Sequence, residues 1–256
     1  MFSEQSSGNT VVWEFYVDFF NSPNKQIRQL KNQVQGVLSE SGVRDRSFWK
    51  WLAKVPAEVE EVLKKMPLQE TSRICILMSL RLLEGILKEK EALKVELIRV
   101  GKPFRAQVEL LMSIRGVTPL LALAFLAEVG DINRFSSLRK LYSYLGVVPS
   151  VRSSGDKTRT GHINRKSRAL ARTIFTQAIP HLANSSPLLK QFYRDLVNRK
   201  GFGRARIAVL RKVFGIMRRM LLSNTPYSWL ESALYEKKLR AYERDLKKMN
   251  EKQEAA

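Results

Sequence analysis

The sequence predicts an all-α protein: N-terminal helices with a coiled-coil-like hairpin, then a compact helical domain containing a helix-hairpin-helix-like motif. Three observations carry this. Apolar residues recur at spacings of three and four, most clearly in Ala205–Leu222, where Ile207, Leu210, Phe214, Met217 and Leu221 form one stripe. A long run, Ser72–Val100, has Ile76, Leu83, Ile86, Leu93, Leu97 and Val100 at heptad positions, interrupted by Ser79 and Lys90. Glycines at 42, 101, 116, 130 and 146 stand at the ends of such runs, where helices stop.

Taken in order, Met1–Thr10 is polar and reads as loose chain. Val11–Phe20 (VVWEFYVDFF) fits strand or helix and ends at the turn-like cluster NSPN. Lys25–Glu40 is a helix on Ile27, Leu30, Val34 and Leu38, closed by Gly42. Trp49 and Trp51 follow; they could stack on bases, but tryptophans in a small helical layer are more often core anchors. Glu58–Met66 is a short amphipathic helix. The run Ser72–Val100 fits a dimeric or antiparallel coiled coil and equally a bundle helix. Gly101 and Pro103 end it.

Val108–Ile114 resumes as helix, RGVTP turns, and LLALAFLAEVG is the next helix. Ser136 is placed to cap a helix over Ser137–Leu145. VVPSVRSSGDKTRTG reads as a loop, and Asn164 as the cap of a helix from Arg165 to about Ile179. Pro187 starts a helix to about Asn198, RKGFG is a loop, and Ala205–Leu222 follows. The segment after Trp229 is so charged that a solvated, fraying helix is expected. This gives four regions: a residual segment at 1–23, a helical and coiled-coil region at 24–107, a compact helical domain at 108–226, and a charged tail at 227–256.

The chain has 256 residues, enough for a real core, and a formal charge of +21 with pI near 10.3. Such an excess favours a polyanionic partner. Between Ser150 and Met220 there are seventeen cations against two acids, Asp156 and Asp195. Arginine predominates, which suits forked contacts to phosphate. The single cysteine, Cys75, lies in the apolar run ICILM and reads as a small core residue; with two histidines, zinc binding is not expected. No secretion signal and no apolar run long enough to span a bilayer is seen, so a cytoplasmic, nucleoid-associated protein with no membrane role is the default.

Two constellations point to chemistry. In IRGVTPLLA a glycine between two helices leaves Gly116, Val117 and Thr118 at a helix N-terminus, where amides can hold a phosphate without reading sequence. A plain helical hairpin with a glycine corner is the competing reading. The second is Ser153-Ser154-Gly155 among Arg152, Lys157 and Arg159, with His162 nearby. A serine hydroxyl is a weak nucleophile unless activated, and the residues alone fit an ordinary polar turn better than catalysis. The basic residues Arg165, Lys166, Arg168, Arg172, Arg204, Arg211 and Arg218 complete the expected nucleic-acid surface. No carboxylate set suggests a magnesium site.

At these residues the chain resembles a known family. The order of the glycine hairpin, AEVGDINRF, YLGVVPS, SSGDKTRTGHI and a basic helix resembles the C-terminal part of bacterial insertion-sequence transposases of the 116/110/902 family. The resemblance continues through FYRDLVNRKG and ARIAVLRKVFGIMRRML and covers about Asn24–Tyr227. It implies DNA transposition by a serine nucleophile that links covalently to DNA. That serine falls at Ser154, with Ser153 as the alternative. It also implies an RNase H-like N-terminal domain whose four acidic residues bind Mg2+, a structured guide RNA encoded by the element, and a homo-oligomer.

Only residues 1–23 precede the matching region, and Asp18 is in the wrong context for the acidic set. The expectation is therefore a truncated or split transposase. It would hold no cofactor itself and would meet Mg2+ only through a separate acidic domain. The competing expectations are a non-catalytic nucleic-acid-binding remnant and a helix-hairpin-helix repair factor; the latter leaves the Ser154 segment unexplained.

Overall fold

The computed structural model describes residues 6–52, 58–154, 157–163 and 170–254. As expected, helices dominate: α1 (Ser6–Glu40), α2 (Arg46–Leu52), α3 (Val59–Lys64), α4 (Glu70–Val100), α5 (Arg105–Met112), α6 (Pro119–Val129), α7 (Leu138–Tyr144), α8 (Leu170–Leu182), α9 (Pro187–Ser223) and α10 (Ser232–Glu254). The departure is a two-stranded antiparallel ribbon, β1 (Pro149–Ser154) and β2 (Lys157–Ile163), where a loop was expected. The chain divides into two compact units, Asp18–Glu96 and a larger one of Met1–Val17 with Leu97–Ala256.

The smaller unit is built on Val34 and Leu38 of α1, Leu52 of α2, Leu63 of α3, and Ile76, Leu80 and Leu83 of α4. Helix α1 does not turn at NSPN; it runs through Pro23. Proline removes one N–H, and the buried stripe beyond it holds the helix together. Lys90 Nζ meets Asn24 Oδ1 at 2.5 Å while Val34 and Leu38 share the cluster with Ile76, so α1 and α4 run antiparallel. The end of α1 is closed by Gly42 N donating to Ser39 O and Val43 N to Leu38 O. Trp49 and Trp51 are partly buried against the cluster, the core reading rather than the stacking one.

The C-terminal carbonyls of α3 are covered by one side chain. Arg73 Nε donates to Leu63 O, and its Nη2 to Met66 O and Leu68 O, at 3.1–3.3 Å. The same helix corrects the reading of Cys75, which is exposed. With Ile76, Leu80 and Leu83 turned inward, position 75 falls on the outer side of α4. There Ile74, Met78 and Leu82 form an exposed apolar row at spacings of four.

The larger unit centres on α6, whose residues from Leu121 to Leu126 are all buried, as are Glu128 and Val129. An all-round apolar helix must be enclosed, and here α5, α8 and α9 enclose it. Phe125, Phe175 and Phe214, one from each of α6, α8 and α9, meet with ring centroids 5.1–6.2 Å apart. Helix α7 is capped by Ser137, which accepts from Lys140 N, one residue later than expected. Helix α9 begins at Pro187 behind the cap Ser186, as expected. The predicted RKGFG loop shrinks to one non-helical residue, Gly201 (φ 76, ψ 166), between two helical halves.

Helix α10 also departs from expectation. It is helical to Glu254, and one face is buried: Tyr242 is inaccessible and Leu246 nearly so. Tyr235, Tyr242 and Leu246 recur at seven and four, so this charged helix has an inward stripe. Among the described residues, no helix is long and apolar enough to cross a membrane.

Candidate nucleic-acid interface

The glycine hairpin joins α5 to α6. Gly116 has φ +88, a conformation that L side chains rarely adopt. A Cβ there would stand 2.8 Å from His181 Cβ and 2.9 Å from Leu182 N, so α8 lies directly against the turn. Thr118 caps α6, its Oγ1 accepting from Leu121 N at 3.3 Å and its carbonyl from Ala122 N at 2.9 Å. Val117 N donates to Ile114 O at 3.1 Å and its side chain is fully buried. Of the three residues expected to grip a phosphate, Val117 therefore has its amide and its side chain engaged by the protein.

The carbonyl side of the turn is held by α10. The Lys238 ammonium donates to the carbonyls of Met112, Ile114 and Val117, the last two at 2.9 and 3.1 Å. Burial lowers the Lys238 pKa from its usual value to about 8, against the attraction of Glu231. Arg115 Nη1 pairs with Glu231 at 2.9 Å, and Tyr227 N donates to Ser113 Oγ at 2.9 Å. A tether of this kind was not legible in the loop itself, because its partner lies more than a hundred residues away.

The ribbon is the second part. Its register pairs Ser154 with Lys157, Ser153 with Thr158 and Arg152 with Arg159, with an irregularity between Pro149 and Val151. Both serines thus sit at the end of the ribbon next to the connection; Gly155 and Asp156, which make it, lie outside the described residues. The root is anchored in the core. Leu145 and Val147 are fully buried, and Val147 N donates to Tyr142 O at 3.0 Å. Arg172 Nη1 donates to Gly146 O at 2.7 Å. Tyr144 Oη donates to the carbonyl of Glu128, a buried residue of α6, at 2.9 Å. Arg134 covers the Phe135 and Tyr144 rings at 4.6 and 4.5 Å from their centroids.

The predicted cations divide by post. Arg152, Lys157 and Arg159 are on the ribbon. Arg165, Lys166 and Arg168 lie outside the described residues. Arg172, as above, ties α8 to the chain before the ribbon. Arg218 is half-buried and its Nη2 donates to Phe135 O at 2.9 Å, a strut between α9 and the segment before α7. Arg204 and Arg211 are exposed on α9, the latter over the Tyr142 ring, and Lys190, Arg194, Arg206, Lys212 and Arg219 are exposed with them. These exposed side chains supply a one-signed surface along α9.

Residues 108–194 match the sequence profile described as the transposase IS116/IS110/IS902 family. The chain resembles the IS116/IS110/IS902 transposases. The match spans the glycine hairpin, α6, α7, the ribbon, α8 and the first two turns of α9, and so includes both candidate serines. Arg204, Arg211 and Arg218 lie beyond it. Over 206 residues the chain is 27% identical to the transposase for insertion sequence element IS1111A of Coxiella burnetii, covering 77% of this chain and 55% of that protein. It is 24% identical over 212 residues to a probable family 20 transposase of Pseudomonas aeruginosa, covering 77% and 60%. The chain thus spans little more than half the length of these curated relatives.

The family resemblance implies magnesium, and the described residues do not fit it. Among them no three of His, Cys, Asp and Glu come together in a way that could hold a metal ion.

Proposed function

We propose that this chain supplies the nucleic-acid grip and the nucleophilic serine of an insertion-sequence transposase that exchanges DNA strands. The observation that carries the reading is the ribbon register, in which Ser154 stands across from Lys157 with Arg152 and Arg159 paired two positions back. A serine paired in register with a lysine, at the end of a ribbon rooted in the core, suits attack on a backbone phosphate. The cation offsets charge as it develops on the phosphoryl oxygens. The serine oxygen would bond to phosphorus, and the displaced sugar oxygen would leave with a proton as a hydroxyl. Ser153, across from Thr158, is the second candidate.

The grip rests on the exposed cations of α9, with Arg152, Lys157 and Arg159 placed on the ribbon. They contact phosphates and therefore hold DNA, or a structured guide RNA of the element, without reading sequence. The exposed row Ile74, Met78 and Leu82 on α4 supports assembly through a second copy. The family resemblance implies an acidic, metal-binding domain, and the described residues contribute no group of three His, Cys, Asp or Glu that could hold a metal ion. The relatives' names support transposition. The second reading is a non-catalytic binding module, which the exposed cations of α9 support by themselves.

The test is trapping of a covalent adduct with element-end DNA and Mg2+, with and without an added RNase H-like acidic domain. The expected result is an adduct lost in Ser154→Ala. An adduct that persists when Ser153 and Ser154 are both alanine removes the serine assignment. Salt-sensitive DNA binding without an adduct under either condition leaves the binding module standing.

A further inference from the structure

The corner in α9 has a geometry that packing does not explain. Gly201 takes φ 76 and ψ 166 inside a helix, yet a Cβ placed on it meets nothing within 4 Å, and the same holds for Gly203. What the break does is present Phe202, which is 63% exposed. Around it stand Arg199, Lys200, Arg204 and Arg206, all exposed, with no acid between Asp195 and the end of α9. Arg199 also donates from Nε to Asp195 O at 3.3 Å, which fixes it at the end of the first helical half.

An exposed ring keeps an apolar face free for a ligand, and here the cations beside it say what kind of ligand fits. A ring bracketed by cations matches a chain of negative charges carrying flat apolar faces. That is the chemistry of single-stranded nucleic acid, where phosphates meet the cations and an unstacked base meets the ring. A closed duplex offers phosphates but no free base face.

We propose that Phe202 is a stacking platform for an unpaired nucleobase, held out by the Gly201 corner and flanked by phosphate contacts from Lys200, Arg204 and Arg206. This rests on the nucleic-acid reading above and adds a preference for unpaired over paired strands. It does not involve the serines.

The experiment measures binding by fluorescence anisotropy with a labelled single-stranded DNA oligonucleotide, its RNA counterpart, a blunt DNA duplex, and anionic phosphatidylserine vesicles. Phe202→Ala is expected to weaken binding to one or both single strands about tenfold, with duplex binding and the salt slope unchanged. The DNA and RNA arms show which strand the platform takes. Phe202→Trp is expected to retain affinity, and Arg204→Gln with Arg206→Gln to weaken strand and duplex together. Equal single-strand binding by wild type and Phe202→Ala overturns the stacking role while leaving the nucleic-acid reading intact. So does a Phe202→Ala defect confined to vesicles. Wild-type protein that binds neither strand nor duplex overturns both. Phe202 is exposed, so Phe202→Ala should melt as wild type does, and its thermal unfolding is recorded alongside.

Discussion

Two glycine corners of the larger unit share a positive φ and differ in everything else. At Gly116 the turn is enclosed: α8 stands within 3 Å of where a Cβ would be, and Lys238 covers three of its carbonyls. At Gly201 the corner opens onto nothing, and the residue it displays is an exposed phenylalanine among cations. The hairpin is built into the packing of the unit, and the α9 corner stands outside it. Sequence patterns weight them the other way, because a glycine between two apolar helices resembles a phosphate grip and RKGFG resembles a loop.

The largest expected effect separates the two. Gly116→Ala must strain the backbone and push apart a packed joint, so a loss of about 2–5 kcal/mol is expected. Gly201→Ala meets open space and carries strain alone, about 1–3 kcal/mol. Urea titration of both variants checks this, and equal losses would break the comparison. The functional readout runs in the opposite sense. Gly201→Ala should disturb single-strand binding by moving Phe202, while any folded fraction of Gly116→Ala binds as wild type.

Lys238→Met comes next. The three carbonyls lose a buried partner, and about 2 kcal/mol of stability should go with it. The pH dependence has a definite sign. Burial places the folded-state pKa near 8, below the usual lysine value, so between roughly pH 8 and 10.5 the unfolded chain holds more protons than the folded one. Wild-type stability relative to Lys238→Met should therefore rise as pH climbs through that window and stay flat below it. Thermal melts of the two proteins from pH 7 to 10 measure it. A gap that shrinks across the window would place the ammonium in a site that favours its charge.

Much of the fold was legible because helices announce themselves by period. The stripes at Lys25–Glu40 and Ala205–Leu222, the cap at Gly42 and the start at Pro187 follow from local chemistry alone. By its composition the ribbon segment reads as a loop, although Gly155-Asp156 between Val151 and the β-branched Thr158, Thr160 and Ile163 is a hairpin signal. The density of serine and arginine masked it. Cys75 was misplaced because a short run such as ICILM does not say which of its residues face inward. Arg172 and Arg218 could not be told from Arg204 and Arg211 by sequence. Whether an arginine meets a phosphate or a backbone carbonyl depends on what the fold brings beside it. Lys238 was hidden for the same reason, within a helix whose charge drew attention away from Tyr235, Tyr242 and Leu246.

Removing one hydroxyl from α10 should have the smallest effect, and the same position tests the clamp on the enclosed corner from its far side. Tyr242 is fully buried on α10, and its hydroxyl has no hydrogen-bond partner among the described residues. Burial raises its pKa, with Glu109 adding to the shift and Arg105 opposing it, so it stays neutral at physiological pH. An orphaned buried hydroxyl is a desolvation penalty without compensation, whereas the ring provides the packing. Tyr242→Phe should therefore be neutral or stabilising, by up to about 1 kcal/mol, and Tyr242→Ala should lose several times that through the cavity it leaves. If α10 holds the corner through its apolar stripe as well as through Lys238, Tyr242→Ala will also loosen the Gly116 turn, seen as faster amide exchange at Val117 and Ala122. The Gly201 corner should keep its exchange rates in the same protein. Exchange that quickens equally at both corners would mean α10 stabilises the unit as a whole and the two corners are not separate devices.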